Sequence, residues 1–164
     1  QLHIVGHSAG SIFQAHSLAR LFKIDETLKV DSLHLMAPAI SYPLFNETLA
    51  PLIESEHIAS TTVYNLSGPL EKDDHVARIY QKSLLYLVSN AFESKTAMPL
   101  LGMAAFNAPI ANVTFKYSEG KEGDSTAATS HGGFDSDVDT MNSVLTDITG
   151  GSPKYPFTKA ILDY

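Results

Sequence analysis

One serine stands in a setting that could make it a nucleophile. Gly6, His7, Ser8, Ala9 and Gly10 match the pattern G-x-S-x-G, between a short apolar segment and a segment of helical periodicity. A sharp turn from strand to helix would hold Ser8 in strained backbone geometry, and the two glycines would avoid a Cβ where strand and helix approach. The Ser8 hydroxyl would then lie beside the N–H of Ala9 and the positive end of the helix, both of which suit a developing oxyanion.

A serine hydroxyl becomes reactive when a base removes its proton and a carboxylate orients that base. Asp73 and Asp74 follow the third predicted strand, and His131 follows the fourth. Because ligand chemistry collects at the carboxyl ends of parallel strands, we expect Ser8, one aspartate and His131 to meet there. The other aspartate would cap the next helix. The apolar positions of that helix favour Asp73 as its N-cap, which leaves Asp74 for the histidine.

The positions of five other histidines and of three neighbouring aspartates indicate structural roles. The histidines in strands, on a helix, in a connection or at the variable position of the motif are His3, His7, His16, His34 and His57. Asp135, Asp137 and Asp139 have the spacing of a calcium loop, but Thr140 and Thr146 stand where that loop needs Gly and Glu. We therefore expect no metal site there, and the acids would stabilise the start of a helix.

The elements that must position these residues alternate between strand and helix character, which is typical of a mostly parallel sheet covered by helices. Four strands are predicted at residues 2–5, 32–36, 61–66 and 113–117. Apolar spacing predicts helices at 10–22 and 74–92, and a third that starts near Phe134 and ends at Gly150 and Gly151. Residues 40–60 are predicted to be irregular or short helical pieces, and 118–129 a solvated loop. The predicted fold class is α/β.

The composition of the chain weighs against some classes of function. The 164 residues carry a formal charge of −7, with 44% hydrophobic residues and no cysteine, which is typical of one globular domain without disulfides. The acidic balance and the lack of a basic cluster weigh against nucleic-acid binding. No apolar run approaches the roughly 20 residues of a membrane span. The missing cysteines fit a reducing compartment such as the cytoplasm, but they leave localisation open.

The order of Gly6-His7-Ser8-Ala9-Gly10, Asp74 and His131 along this alternating chain resembles the α/β-hydrolase fold family. The match covers most of the chain and is similar to the C-terminal half of such an enzyme, so residues 1–164 would form a partial domain whose upstream strands are missing. The resemblance implies a Ser8 nucleophile, an acid at Asp74 or Asp73, a His131 base and an oxyanion donor at Ala9. A second oxyanion donor would come from upstream of the nucleophile strand. We expect the isolated chain to be inactive and prone to aggregate, because its first strand would have an unpaired edge.

The resemblance further implies an esterase-like or lipase-like serine hydrolase that cleaves a carboxylic ester or related acyl compound through an acyl-enzyme. Such chemistry needs no metal or organic cofactor, and its partner would be a small acyl substrate. Residues 39–60 lie where this fold often carries a small cap. The alternative is a non-catalytic binding or interaction protein on the same scaffold, which a lost triad residue would indicate. All three residue types are retained here, and substrate identity and oligomeric state stay open.

Overall fold

A sheet of four parallel strands forms the centre of the computed structural model, which describes residues 1–74, 83–92 and 97–162. In sheet order the strands are β1 (His3–His7), β2 (Ser32–Met36), β3 (Thr61–Leu66) and β4 (Val113–Ser118). The predicted α/β class is thereby confirmed, and the strand predictions agree with the structure to within two residues. Since all pairings are parallel, the carboxyl ends of the four strands lie at one edge of the sheet.

Burial explains the strand pattern. Every residue of β2 and β3 is buried, as expected for central strands of a parallel sheet that is covered on both faces. β1 lies at one edge of the sheet, and its Val5 is exposed. The two central strands therefore supply most of the sheet's contribution to the core.

Helices lie on both faces of the sheet. The α-helices of the described residues are α1 (Gly10–Ile24), α2 (Tyr42–Glu54), α3 (Gly68–Asp73), α4 (Leu84–Leu87), α5 (Val138–Thr149) and α6 (Lys159–Leu162). α1 and α2 pack with Leu33, Leu35 and Val63 on one face, whereas α5 packs with Met36 and Tyr64 on the other. In the described part of the chain, no helix has both the length and the apolar character to cross a membrane.

The segment 40–60 differs from its prediction, because it contains one continuous helix, α2, in place of irregular or short pieces. Its two prolines are tolerated. Pro43 lies in the first turn, where a missing N–H costs no helical hydrogen bond, and Ser41 caps that turn by accepting from the Leu44 N–H at 3.5 Å. Pro51 lies near the other end. The buried face of α2 packs against the sheet and α1, so this part of the expected cap segment 39–60 belongs to the layer that covers the sheet.

The predicted helix at 74–92 is not continuous. Asp74 and Ser83 both have extended backbone, and the Ser83 N–H donates to the Glu71 carbonyl at 2.9 Å. α4 begins only after Ser83 and continues as a short π-helix, Val88–Phe92. The part of the prediction at 75–82 lies outside the described residues. Asp73 belongs to the last turn of α3, so the prediction that it caps a helix beginning at Asp74 is wrong.

α5 confirms the predicted amphipathic helix but begins at Val138, four residues after Phe134. Asp137 is its N-cap and accepts from the Thr140 N–H at 2.9 Å. Gly150 ends it in the left-handed conformation, with φ 70°, as the sequence predicts. The preceding loop is less solvated than expected, because Thr126 is fully buried and bonds to Thr140 at 2.7 Å. These contacts anchor the segment that leads to His131.

Glu71 anchors α3, the helix that ends beside Asp74. Its side chain is buried, and Oε1 accepts from the Ala104 N–H at 3.3 Å, while its carbonyl receives the Ser83 N–H. Among the described residues, Oε2 has no hydrogen-bond partner. Burial raises the pKa of Glu71 from 4.5 to about 7. The folded protein therefore keeps a proton on this carboxyl in a pH range where the unfolded chain has lost it.

We predict that Glu71→Gln stabilises the protein increasingly as the pH rises from 5 to 8. A raised pKa in the folded state means that stability is full below the unfolded value of 4.5 and falls as the pH rises through about 7. Glutamine resembles the protonated acid and removes this loss, which amounts to up to about 3 kcal/mol. Urea denaturation at several pH values measures it, with exposed Glu54→Gln as the control. An equal effect of Glu71→Gln at every pH would contradict the assignment.

Candidate active site

Ser8 has the strained geometry that the motif predicts. Its φ is 53°, in the left-handed region that side chains with a Cβ rarely adopt. The strain is held by the main chain: the Ser8 N–H donates to the Met36 carbonyl at 2.9 Å, and the Ser8 carbonyl accepts from the Ala39 N–H at 3.1 Å. The carboxyl end of β2 therefore fixes the turn that carries the Ser8 hydroxyl.

The two glycines of the motif differ in what they allow. A Cβ on Gly6 would overlap the side-chain amide of Gln14, which reaches across from α1 and donates to the Val5 carbonyl at 2.7 Å. The close approach of strand and helix at Gly6 is therefore as predicted. A Cβ on Gly10 would meet no atom within 4 Å, so the prediction of a close approach there is wrong. Gly10 lies in the first turn of α1.

His131 meets Ser8 across 123 residues of sequence, with its Nε2 at 2.8 Å from the Ser8 Oγ. It begins a short 3-10 helix, His131–Gly133, and its side chain is buried. A neutral imidazole that accepts the Ser8 hydroxyl proton at Nε2 carries its own hydrogen on Nδ1. Within the described residues, Nδ1 has no hydrogen-bond partner. The serine and histidine thus have the geometry of a nucleophile and its base.

Asp74 also lies against His131, but it contacts the main chain. Its Oδ2 accepts from the backbone N–H of His131 at 2.8 Å. Asp73, by contrast, is exposed on the last turn of α3. The structure therefore brings Ser8, His131 and Asp74 together, as the sequence predicts. The carboxylate holds the histidine through its peptide N–H, whereas the sequence-based expectation was a contact with the imidazole.

Three effects act on the pKa of His131. Their net result lowers the pKa from 6.5 to about 4. Burial is the largest of the three, because the charged form is poorly solvated. His7 also lowers the pKa, since a positive charge there repels the imidazolium. The carboxylate of Asp74 acts in the opposite direction and raises it. His131 is therefore neutral across the physiological pH range, as a base must be before it accepts a proton.

An oxyanion would find donors at the start of α1. Ala9 is the N-cap residue of this helix and is exposed beside Ser8. N–H groups in the first turn of a helix have no partner within the helix, and the helix dipole adds partial positive charge there. Ala9 therefore lies at the start of the helix, next to Ser8, and its role as an oxyanion donor stays a prediction.

Two residues at the site were missed from the sequence. His7 donates from Nε2 to the carbonyl of His131, with an N to O distance of 2.8 Å, although it was expected to be a variable position of the motif. Ser11 donates to the Ser8 carbonyl at 2.7 Å and accepts from the Ile40 N–H at 3.1 Å. Serine in a helix often bonds back to a carbonyl three or four residues earlier, so the position of Ser11 could have predicted this contact. Nothing in the sequence around His7 predicts its contact with a distant carbonyl.

Several residues for which the sequence predicts a structural role do make structural contacts. His3 and His34 both contact the Ser32 hydroxyl, at 2.8 Å each, and His57 packs edge-on against Phe22. Asp137 caps α5 and Asp139 accepts from the Gly123 N–H, as expected for acids at the start of a helix. Over residues 1–74, 83–92 and 97–162, no cluster of three or more histidines and acids could hold a metal ion.

Comparison with protein-family models, with curated proteins and with solved structures gives no significant match for this chain.

We predict that Gly6→Ala destabilises the protein by about 1–3 kcal/mol, because the added methyl displaces Gln14 and breaks its hydrogen bond to Val5. Gly10→Ala is the matched control. It adds the same methyl group four residues later into open space, and alanine favours helix over glycine by up to about 1 kcal/mol. Urea denaturation of both variants measures the difference. Equal destabilisation would show that Gln14 can move without cost.

Proposed function

We propose that the protein is a serine hydrolase that cleaves a carboxylic ester or a related acyl compound. One observation carries the proposal. The Ser8 Oγ lies 2.8 Å from the His131 Nε2 while Ser8 itself is held in a left-handed turn between a parallel strand and the N-terminus of a helix. A hydroxyl bonded to a buried neutral imidazole, beside the Ala9 N–H at the start of a helix, supports nucleophilic attack on an acyl carbon.

In the proposed reaction, His131 Nε2 takes the Ser8 proton as Oγ bonds to the carbonyl carbon of the substrate. The negative charge that develops on the carbonyl oxygen is stabilised by the Ala9 N–H and the helix dipole. The tetrahedral intermediate then breaks its bond to the leaving alkoxide, which receives the proton from His131. Water repeats the sequence on the acyl-enzyme, and the products are a carboxylic acid and free Ser8.

Asp74 would assist the proton transfer by its charge and by its hydrogen bond to the His131 main chain. Its carboxylate raises the pKa of His131, so it favours the imidazolium that forms as the proton is transferred. The hydrogen bond to the backbone N–H fixes the position of the residue. Asp74 therefore supports the base without contacting the reacting atoms.

The alternative is a non-catalytic protein that binds a ligand on this scaffold. The observation that favours it is the Nδ1 of His131, which lacks a carboxylate partner within the described residues. A triad with an unanchored imidazole loses much of its advantage. The two functions differ in whether Ser8 reacts covalently, so labelling separates them.

We predict that an alkyl fluorophosphonate labels Ser8 covalently in the full-length protein, with loss of fluoride and transfer of the hydroxyl proton to His131. Ser8→Ala should abolish labelling and lower ester turnover by on the order of 10⁴–10⁶. His131→Ala should cost about as much, and the double variant little more, because the residues act as a unit. Mass spectrometry of the labelled peptide and steady-state kinetics provide the measurements.

Ser55→Ala is the matched control for the labelling experiment. Ser55 Oγ also lies 2.8 Å from a histidine nitrogen, Nδ1 of His57, but it donates its proton to the Pro51 carbonyl at 2.7 Å and follows the end of α2. Its removal should leave labelling unchanged. Failure of the full-length wild-type protein to label Ser8 would overturn the hydrolase proposal and favour the binding function.

We also predict that Asp74→Asn lowers kcat/KM by about 10²–10⁴, while Asp73→Asn changes it less than about twofold. The first change removes the charge that favours the His131 imidazolium, although asparagine can still accept from the backbone N–H. Asp73 is exposed at the C-terminal end of α3, where a negative charge opposes the helix dipole. Its neutralisation should therefore raise stability by a few tenths of a kcal/mol. Turnover rates and thermal melts of both variants test this, and the reverse pattern would assign the acid to Asp73.

A further inference from the structure

His7 lies at the end of β1, directly before Ser8, and its imidazole turns toward the segment that carries His131. Its Nε2 is 2.8 Å from the His131 carbonyl oxygen, and the two rings lie with centroids 5.5 Å apart and planes tilted by 31°. The contact joins residues that are 124 positions apart in the chain. It therefore ties the nucleophile turn to the loop of the base, independently of the bond from Ser8 to His131.

The partners of His7 determine where its hydrogens lie. A carbonyl oxygen can only accept, so Nε2 must carry hydrogen. Nδ1 faces the carboxylate of Asp135, with Nδ1 and Oδ2 3.7 Å apart. The His131 carbonyl thus lies against Nε2 and the Asp135 carboxylate against Nδ1, so the ring lies between two polar partners that fix its orientation.

The main chain of His131 is held on both sides by side chains from other segments. Asp74 accepts from its N–H and His7 donates to its carbonyl, each at 2.8 Å. The side chain is held at Nε2 by Ser8, and among the described residues Nδ1 makes no hydrogen bond. In a Ser-His-Asp triad a carboxylate bonded to Nδ1 orients the imidazole. Here, by contrast, the hydrogen bonds fix the backbone of His131.

We infer that His7 is a positioning residue for the reaction proposed above: its hydrogen bond to the His131 carbonyl, supported by Asp135, keeps the His131 imidazole aligned with the Ser8 hydroxyl. This role rests on the proposed function. It acts through His131, since His7 itself bonds to the main chain rather than to Ser8. Misplacement of a catalytic group by about 1 Å can cost on the order of 10²-fold in rate, so the contact has a measurable consequence.

Substitution of His7 by glutamine or by asparagine tests the hydrogen bond from Nε2 separately from the other effects of losing the imidazole. In His7→Gln the amide nitrogen lies close to the position of Nε2 and can still donate to the His131 carbonyl. In His7→Asn the side chain is one methylene shorter, so its amide falls short of that oxygen. Both variants remove the imidazole and any charge that it carries, and both are polar residues of moderate size. They differ mainly in the one hydrogen bond under test.

We expect His7→Asn to lower kcat by about 10- to 100-fold with KM nearly unchanged, and His7→Gln to recover most of that loss. The rate of fluorophosphonate labelling should follow the same order. Thermal melts establish that both variants are folded. Equal kcat values for the two variants, with both proteins folded, would overturn the positioning role.

The pH profile provides a second readout that a merely structural role would not give. Among the described residues, the titratable groups that act on His131 are His7 and Asp74, and Asp135 faces His7. His7 lowers the pKa of His131, so its replacement by either amide should move the acidic limb of kcat/KM to higher pH by the same amount. An unchanged limb in both variants would show that the two rings do not interact.

The outcomes separate this inference from the proposed function. If the wild-type protein neither labels at Ser8 nor turns over esters, the hydrolase proposal fails, and the positioning role fails with it. If the wild-type protein reacts and His7→Asn reacts equally fast with an unshifted pH limb, only the role of His7 is overturned. Asp135→Asn adds an independent check, since it should weaken the His7 contact and lower kcat in the same direction.

Discussion

The left-handed backbone of Ser8 is the constraint on which the candidate site depends. A φ of 53° is unfavourable for a serine, yet it aims the hydroxyl away from the sheet and toward the loop of His131. The compensation comes from hydrogen bonds. Met36 accepts from the Ser8 N–H, and the Ser8 carbonyl accepts from the Ala39 N–H and from both donors of Ser11. The strain is therefore supported by the end of β2 and the first turn of α1.

Parallel pairing then determines what lies near this turn. β1 pairs with β2, β2 with β3, and β3 with β4, so the residues that follow the strands meet at one edge of the sheet. Asp74 follows β3 by way of the short helix α3, and His131 follows β4 by way of a long loop. The hydrogen bond between Ser118 and the Ala128 carbonyl, at 2.6 Å, brings the far end of that loop back to the strand. Asp74 and His131 therefore reach the same edge along very different paths.

The elements that the sequence predicts best are those whose pattern arises from burial. β2 and β3 have their predicted bounds because short apolar runs between turn residues are typical of strands covered on both faces. α2 escapes prediction because prolines such as Pro43 and Pro51 usually interrupt a helix, whereas here one lies in the first turn and the other near the end. The break at Ser83 depends on a tertiary hydrogen bond to Glu71, which helical periodicity does not reveal.

The same limit applies to the site. The order of Ser8, Asp74 and His131 at strand ends predicts that they meet, because that proximity follows from topology. The atoms through which they meet depend on loop conformation, and periodicity carries no information about it. Asp74 thus contacts a peptide N–H instead of an imidazole, and His7 bonds to a carbonyl that lies 124 residues away. Side chains that bind main-chain atoms of a distant loop leave no spacing pattern in the sequence.

The surroundings of His131, the proposed base, shift its pKa in two opposite directions. Burial and His7 lower the pKa of His131, which keeps the ring neutral and ready to accept a proton from Ser8. The same effects oppose the imidazolium that must form during the attack. Asp74 offsets part of this cost, because its negative charge stabilises the protonated ring through space even though its hydrogen bond goes to the backbone. An interaction between charges inside a protein is stronger than in water, so a substrate that excludes water from this edge would strengthen the attraction at the step that needs it.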